Sequence, residues 1–426
     1  MLLRINKTPI CKAFLGLYIF SLAFFDKSVF FGYDAPHLYI GLTILIIVPS
    51  LSRDNNIVLP RAVFYWQFFL IAILLSSLFA ISQEKTLYSA IRFMSTIIIS
   101  LSIYNLVRLY HDGVADSLNY YLVLSIFLSI LGIVQFVEFN IFHNFRLYFP
   151  PTNLTYMASG DAGAVAGNNI AIFRATATFA EPSWLGYFLV PALVLSITRF
   201  FQSKHFKNLA SVSIVFVGLL STLSFGALSL ALVAIVILTF SKLIWPLMKR
   251  LLKLRLYLPY FRVLLRIGVV ILAFLFIILY YVPEVKEYVT ARLQTLFLGN
   301  DPSFTMRVGT VSQALGLFEA SPFVGIGAGN YRFASARLLG TTADVSINSG
   351  FFLILAEMGV IGIAGFCLIL WKSFRTNLGN RFPSGELISW ILLSHFLLLM
   401  SYNWWYHPLL WTHLTVALAV QKKSTY

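Results

Sequence analysis

The sequence predicts an all-α, polytopic integral membrane protein with about twelve transmembrane helices and a large outer loop that carries amphipathic helices. Three observations lead there: composition, the length of the apolar runs, and the distribution of basic residues. Of 426 residues, 59% are hydrophobic and 11% are charged, whereas soluble domains carry about 25% charge. Counting the 25 Gly as apolar raises the apolar share to about 65%, against roughly 45–50% in soluble domains on the same count. This excludes an ordinary soluble enzyme, a disordered chain and a disulfide scaffold, because only a bilayer hides that much apolar surface.

A run of about 20 apolar residues crosses the hydrocarbon core. Such runs fall at 10–25, 37–51, 62–82, 88–107, 119–139, 182–200, 208–223, 225–241, 262–282, 348–371, 387–402 and 407–421. Arg4, Lys7 and Lys12 precede the first run in the manner of a secretory signal. Phe24, Phe25 and Asp26 follow it in place of a small-residue cleavage site, so the run reads as an uncleaved helix. With the N-terminus inside, 21 of the 31 basic residues fall on inner segments, including the dense run from Lys242 to Arg266. That asymmetry is the positive-inside pattern, and it puts both termini on the cytoplasmic side. The formal charge of +15 therefore reflects topology and attraction to the lipid bilayer. No nucleic-acid partner is expected. Cys11 and Cys367 sit far apart in apolar runs and read as packing residues.

The chain reads as a single domain over 1–426 with two long outer loops, 140–181 and 283–347. Long loops in compact proteins are often functional. The second is expected to hold amphipathic helices at 285–298 and 307–320, the latter with Val311, Leu315 and Phe318 on one face. Pro322 and the run Gly325-Ile-Gly327-Ala-Gly329-Asn330-Tyr331 then break the helix. The two halves show no internal repeat, which weakens an inverted-repeat transporter reading.

Candidate chemistry gathers in these loops. Arg174 lies between apolar residues near the interface, where it either snorkels to lipid phosphate or binds an anionic ligand. Glu181 precedes Pro182, which suits the first turn of a helix whose dipole favours a nearby carboxylate. Arg307 is expected in the first turn of its helix, an unfavourable place for a cation unless an anion is near. Arg292, Arg332 and Arg337 add charge to the same loop, offset by Glu284, Glu287, Asp301, Glu319 and Asp344. Glu357 falls about 14 Å into its span, with Arg92 and Glu138 as candidate partners. The turn Tyr402-Asn403-Trp404-Trp405-Tyr406-His407-Pro408 reads as an interfacial aromatic belt, or as a glycan-stacking surface with His407 as proton acceptor. No metal-ligand spacing, Asp-x-Asp pair, phosphate loop or lipase-type Ser motif occurs.

Three segments in order resemble the O-antigen ligase/polymerase superfamily of bacterial inner-membrane glycan transferases. They are Arg174…Phe179-Ala-Glu181-Pro182-Ser183, Arg307…Ser321-Pro322-Phe-Val-Gly325-Ile-Gly327-Ala-Gly329-Asn330-Tyr331, and Asn348-Ser-Gly-Phe-Phe-Leu-Ile-Leu-Ala-Glu357-Met-Gly359. The resemblance implies a GT-C-like membrane fold with periplasmic outer loops, and location in the bacterial inner membrane. It implies an undecaprenyl-pyrophosphate-linked glycan as donor, a glycan acceptor, and metal-independent inverting transfer with no cofactor. A chain-length regulator protein is a further partner it implies. Arg174 and Arg307 fall where the family binds pyrophosphate; Arg292, Asn330, Tyr331, Asn348 and His407 are expected to contact substrate. Ligases of the family carry a His where this chain has Ile347, and the segment around Glu181 looks more like the polymerases. A repeat-unit polymerase for O-antigen, capsule or exopolysaccharide is thus the expected activity. Glu181 is then expected to bind the acceptor, take its proton, or orient Arg174. A ligase acting on lipid A core or protein, and a lipid-linked glycan flippase, are the alternatives.

Overall fold

The computed structural model describes residues 8–24, 28–30, 33–34, 36–51, 58–60, 63–142, 164–167, 170–179, 181–203, 205–244, 302–339, 347–378, 383–403 and 405–420, with residues 144, 147, 286–287, 290, 294–295 and 298 between them. In chain order the elements are α1 (Thr8–Ser21), β1 (Ser28–Phe30), β2 (Tyr33–Asp34), α2 (Pro36–Leu51), α3 (Val63–Ser76), α4 (Gln83–Arg108), α5 (Gly113–Asn140), β3 (Ala164–Gly167), β4 (Ile170–Phe173), α6 (Pro182–Ser203), α7 (Phe206–Ser221), α8 (Phe225–Thr239), α9 (Pro302–Ala320), α10 (Tyr331–Leu339), α11 (Gly350–Leu378), α12 (Pro383–Ser401) and α13 (Pro408–Val420). Helices α2, α6, α9, α12 and α13 each begin on a proline, where the missing N–H has no intrahelical partner to lose. The long helix α4 carries Glu84 in its first turn and Arg108 in its last, each sign matched to the helix dipole.

The protein is a multi-pass membrane protein. Among the described residues, six helices are long and apolar enough to cross a bilayer: α4, α5, α6, Phe225–Lys242, Gly350–Arg375 and α12. Five shorter apolar helices occupy Thr8–Phe24, Tyr39–Pro49, Phe64–Phe79, Phe206–Ser221 and Pro408–Val420. These coincide with eleven of the expected runs; the run at 262–282 lies outside the described residues, as does most of the expected helix at 285–298.

The chain divides into two compact units. The first comprises Met1–Leu22, Pro36–Leu118 and Gly299–Tyr426. Its centre is aromatic. Phe69 meets Phe93, Phe366 and Trp405 at 5.0, 5.6 and 5.9 Å, and Trp411 meets Phe93 at 5.1 Å. Aromatic pairs of this kind contribute roughly 0.5–1.5 kcal/mol each beyond area burial. They join α3, α4, α11 and α13.

The second unit comprises Ala23–Ala35 and Asn119–Leu298. Its helices approach closely through small residues, as expected where packing rather than water exclusion drives helix association. A Cβ on Gly218 of α7 would lie 2.4 Å from the Cβ of Ser129 on α5. Tyr121 of α5 donates to the Phe188 carbonyl of α6 at 2.6 Å, and their rings meet at 5.4 Å.

Two features add to the sequence reading. Besides the helices, the described residues form two short antiparallel hairpins, β1–β2 and β3–β4. In the second, Ala164 pairs with Phe173 and Gly167 with Ile170, so two small or β-branched runs flank Asn168-Asn169, a hairpin pattern. Helix α9 starts at Pro302, five residues ahead of Arg307, and buries Thr310, Ala314 and Leu317, while Leu315 is exposed. Packed against α11, the helix favours its slimmer face.

Gly218→Ala is expected to destabilise the protein by about 1–3 kcal/mol through overpacking. Gly316→Ala, where nothing lies within 4 Å of the added Cβ, is expected to stabilise it by roughly 0.5–1 kcal/mol. Thermal unfolding of the purified variants, followed side by side, reads the opposite signs.

Candidate functional site

In the first unit the glycine-rich run closes a gap in a helix. Gly359 lies inside α11 at φ 62°, ψ −160°, and breaks its hydrogen-bond ladder. An unbroken helix would pair Val360 N with Ala356 O and Ile361 N with Glu357 O. Here Ile326 N and Gly327 N donate to the Ala356 and Glu357 carbonyls at 3.1 and 3.0 Å. Val360 N and Ile361 N donate instead to the Pro322 and Phe323 carbonyls at 2.9 and 3.2 Å. All four displaced groups find partners in residues 322–327, as an apolar span requires. The approach leaves no room for side chains. A Cβ on Gly325 (φ 71°) would sit 2.2 Å from the Glu357 backbone carbon, and one on Gly359 would sit 2.4 Å from that of Phe323.

Asn330 ties the same run to the start of α4. It is fully buried. Its Oδ1 accepts from Ser82 N at 2.8 Å, and its Nδ2 donates to the Ser82 carbonyl at 3.2 Å and Thr86 Oγ1 at 2.9 Å. Tyr331 carries the connection to α9. Its backbone N–H donates to Glu357 Oε1 at 3.0 Å. Its hydroxyl donates to the Thr310 carbonyl at 2.9 Å, and Thr310 Oγ1 donates to the Arg307 carbonyl at 2.9 Å. Burial, reinforced by the Glu357 charge, pushes the Tyr331 phenol up to about 12, so it remains a donor at neutral pH. Arg307 itself is half-buried, in the second turn of α9 rather than the first, where the dipole acts on it more weakly. Arg332 and Arg337 are exposed on α10. Glu357 is thus held by backbone N–H groups, and Arg92 lies instead over the Tyr406 ring at 4.5 Å.

Asn348 is half-buried just ahead of α11, where Gly350 N donates to the Tyr402 carbonyl at 3.0 Å. His407 is buried, and its Nδ1 accepts from Leu409 N at 3.2 Å, capping α13. Beside it Trp405 is buried, 6% exposed, and its carbonyl accepts from Trp411 Nε1 at 2.7 Å. Trp404 and Arg292 lie outside the described residues.

In the second unit, residues 173–179 are held by two amides on α5. Asn140 brackets Phe173, accepting from its N–H at 3.0 Å and donating to its carbonyl at 2.8 Å. Gln135 accepts from Thr176 N and Ala177 N at 3.2 and 2.7 Å and donates to the Ala177 carbonyl at 3.0 Å. Ala177, at φ 49°, occupies the left-handed region that this bend demands. Arg174 points to the C-terminal end of α7, where its Nε donates to the Thr222 carbonyl at 3.0 Å. Ala175 N donates to Ser221 O beside it, also at 3.0 Å. A cation there meets the negative end of the helix dipole. Glu181 sits at the start of α6. Its carbonyl accepts from Trp184 N, and its carboxylate accepts from Ser183 Oγ at 2.9 Å.

Arg174 and Glu181 thus flank one shaped segment of the second unit, while Arg307, Asn330 and Tyr331 share one hydrogen-bonded framework in the first. Gln135, Asn140, Ser82 and Thr86 escaped the sequence reading. A signal existed for one of them: Gln135 is a polar residue within the apolar run 119–139, and such residues have partners.

Residues 209–367 match the O-antigen ligase family. The match bears out the resemblance to the O-antigen ligase/polymerase superfamily. It begins in α7 and ends in α11. It takes in Arg307, the glycine-rich run, Glu357 and Gly359, and it leaves out Arg174, Glu181 and His407. A search of the curated proteins gave no match.

Glu357→Gln keeps an acceptor for the Tyr331 N–H and is expected to be nearly neutral for stability. Glu357→Leu leaves that buried donor unpaired, at a cost of about 1–3 kcal/mol. The Tyr331 phenol, protonated to a higher pH when folded, contributes stability that is whole below about pH 10 and lost as pH rises towards about 12. Unfolding temperature measured against pH is expected to lose that alkaline step in Tyr331→Phe.

Proposed function

We propose that the protein is a membrane glycosyltransferase that polymerises undecaprenyl-pyrophosphate-linked oligosaccharide repeat units on the periplasmic face of the inner membrane. The match of residues 209–367 to the O-antigen ligase family carries this reading. In the reaction, an acceptor hydroxyl attacks the anomeric carbon of the donor sugar from the face opposite its pyrophosphate. The carbon–oxygen bond to the pyrophosphate breaks with inversion, the lipid pyrophosphate leaves, and the hydroxyl proton passes to a base. Arg174 and Arg307 act on the charge that develops on the leaving group, by paired N–H donation in place of a metal. Glu181, at the mouth of α6, receives the acceptor hydroxyl or its proton. Holding donor and acceptor together supplies much of the remaining acceleration.

A ligase that transfers the completed glycan to lipid A core or to a protein is the second reading, favoured by the family description itself. Against it stands Ile347. This apolar side chain, 1% exposed, occupies the place where ligases of the family carry a His, so the corresponding base is missing.

Purified protein supplied with lipid-linked repeat units alone, in the presence of chelator, is expected to yield a ladder of polymers on a gel. Arg174→Ala and Arg307→Ala are each expected to reduce it about 100-fold or more, the usual loss for one preorganised donor. Label appearing only on added lipid A core would replace polymerase with ligase. Folded protein that yields product with neither acceptor would return the flippase reading.

A further inference from the structure

Helix α11 carries a second feature at the end away from Gly350. There it shares with α3 a cavity of about 320 Å³, lined by Tyr65 of α3 and by Leu368, Trp371, Lys372 and Arg375 of α11. The four α11 residues follow three- and four-residue spacing and form one stripe. Its chemistry changes in order along the helix: an aliphatic residue, an indole, then two cations. Leu368 and Trp371 are 43% and 59% exposed. From 368 to 375 the helix rises about 10 Å, comparable to the few ångströms over which a bilayer passes from hydrocarbon to headgroup. The apolar span ends at Arg375, and an indole at such a boundary sits at headgroup level. Among the described residues, no acidic side chain lines the cavity.

We propose that this cavity binds the headgroup phosphate of an anionic glycerophospholipid. The Arg375 guanidinium offers the phosphate two parallel donors, and Lys372 adds a point charge. The acyl chains run along Leu368 and the Tyr65 and Trp371 rings. Cations near the end of α11 also suit its dipole, but a dipole gives no reason for an aromatic-walled cavity beside them. A soluble anion would leave the apolar wall uncovered. The site lies at the end of α11 away from Gly350, beyond the break at Gly359. It therefore occupies the opposite end of the span from Asn348 and is independent of the transfer reaction.

Delipidated full-length protein, mixed with equal amounts of phosphatidylglycerol and phosphatidylcholine, is examined by native mass spectrometry. Two surface cations favour the anionic lipid by about 30-fold at low salt, and retention in that direction is expected. Lys372→Gln with Arg375→Gln is expected to remove most of the preference. Lys372→Arg, and Lys85→Ala as a distant control, are expected to keep it. An unchanged preference in the double glutamine variant overturns the site. So does millimolar inorganic phosphate that displaces phosphatidylglycerol, which would make it a soluble-anion site. A readout that keeps both cations is quenching by chain-brominated phosphatidylglycerol. The unaltered protein is expected to quench more than Trp371→Phe, and equal quenching rejects the proposal.

Discussion

A backbone N–H or carbonyl within an apolar span must find its partner in the protein, and at Gly359 this requirement organises the first unit. The break in α11 displaces two donors and two acceptors, and the backbone of residues 322–327 supplies the complement to all four. The rest of the framework depends on that exchange. Because the run is pinned to α11, Asn330 can fasten it to α4 and Tyr331 can reach α9. Arg307 lies on the same helix, one turn ahead of the Thr310 carbonyl that Tyr331 meets. The glycines of the run are there because backbone meets backbone with no space for a side chain.

The second unit solves a similar problem with side-chain amides. The segment leading to Arg174 bends back on itself, and Gln135 and Asn140 provide the partners that a regular strand would have found in a neighbour. Arg174 then closes the end of α7. A residue placed this way has an architectural reason to be cationic and a chemical one. The two are compatible, since a guanidinium anchored through Nε presents its remaining donors in a fixed plane.

Much of this was legible beforehand. Among the described residues, eleven apolar helices fall where the hydropathy placed spans, six of them long enough to cross a bilayer. Pro182 opened its helix as its backbone chemistry required. The run from Gly325 to Tyr331 read correctly as a helix breaker, but a one-dimensional pattern does not say what a breaker pairs with, and its partnership with α11 emerged only in three dimensions. For the same reason Arg92 and Glu138 were the candidate partners of Glu357, which instead accepts from the Tyr331 N–H. The sequence put Val311, Leu315 and Phe318 on one face of α9 without saying what that face meets, and the residues buried there are Thr310, Ala314 and Leu317. The turn holding Trp405 and His407 read as an interfacial aromatic belt or a glycan-stacking surface, and both side chains are buried.

The most direct test of this account is hydrogen–deuterium exchange on Gly359→Ala. The substitution adds a side chain where φ is positive and where the Phe323 backbone lies in contact. If the break in α11 organises the unit, exchange accelerates together in residues 321–331, in α9 and at the start of α4, while residues 173–179 keep their protection. Faster exchange confined to the turn around residue 359, with α9 and the glycine-rich run unchanged, would contradict it.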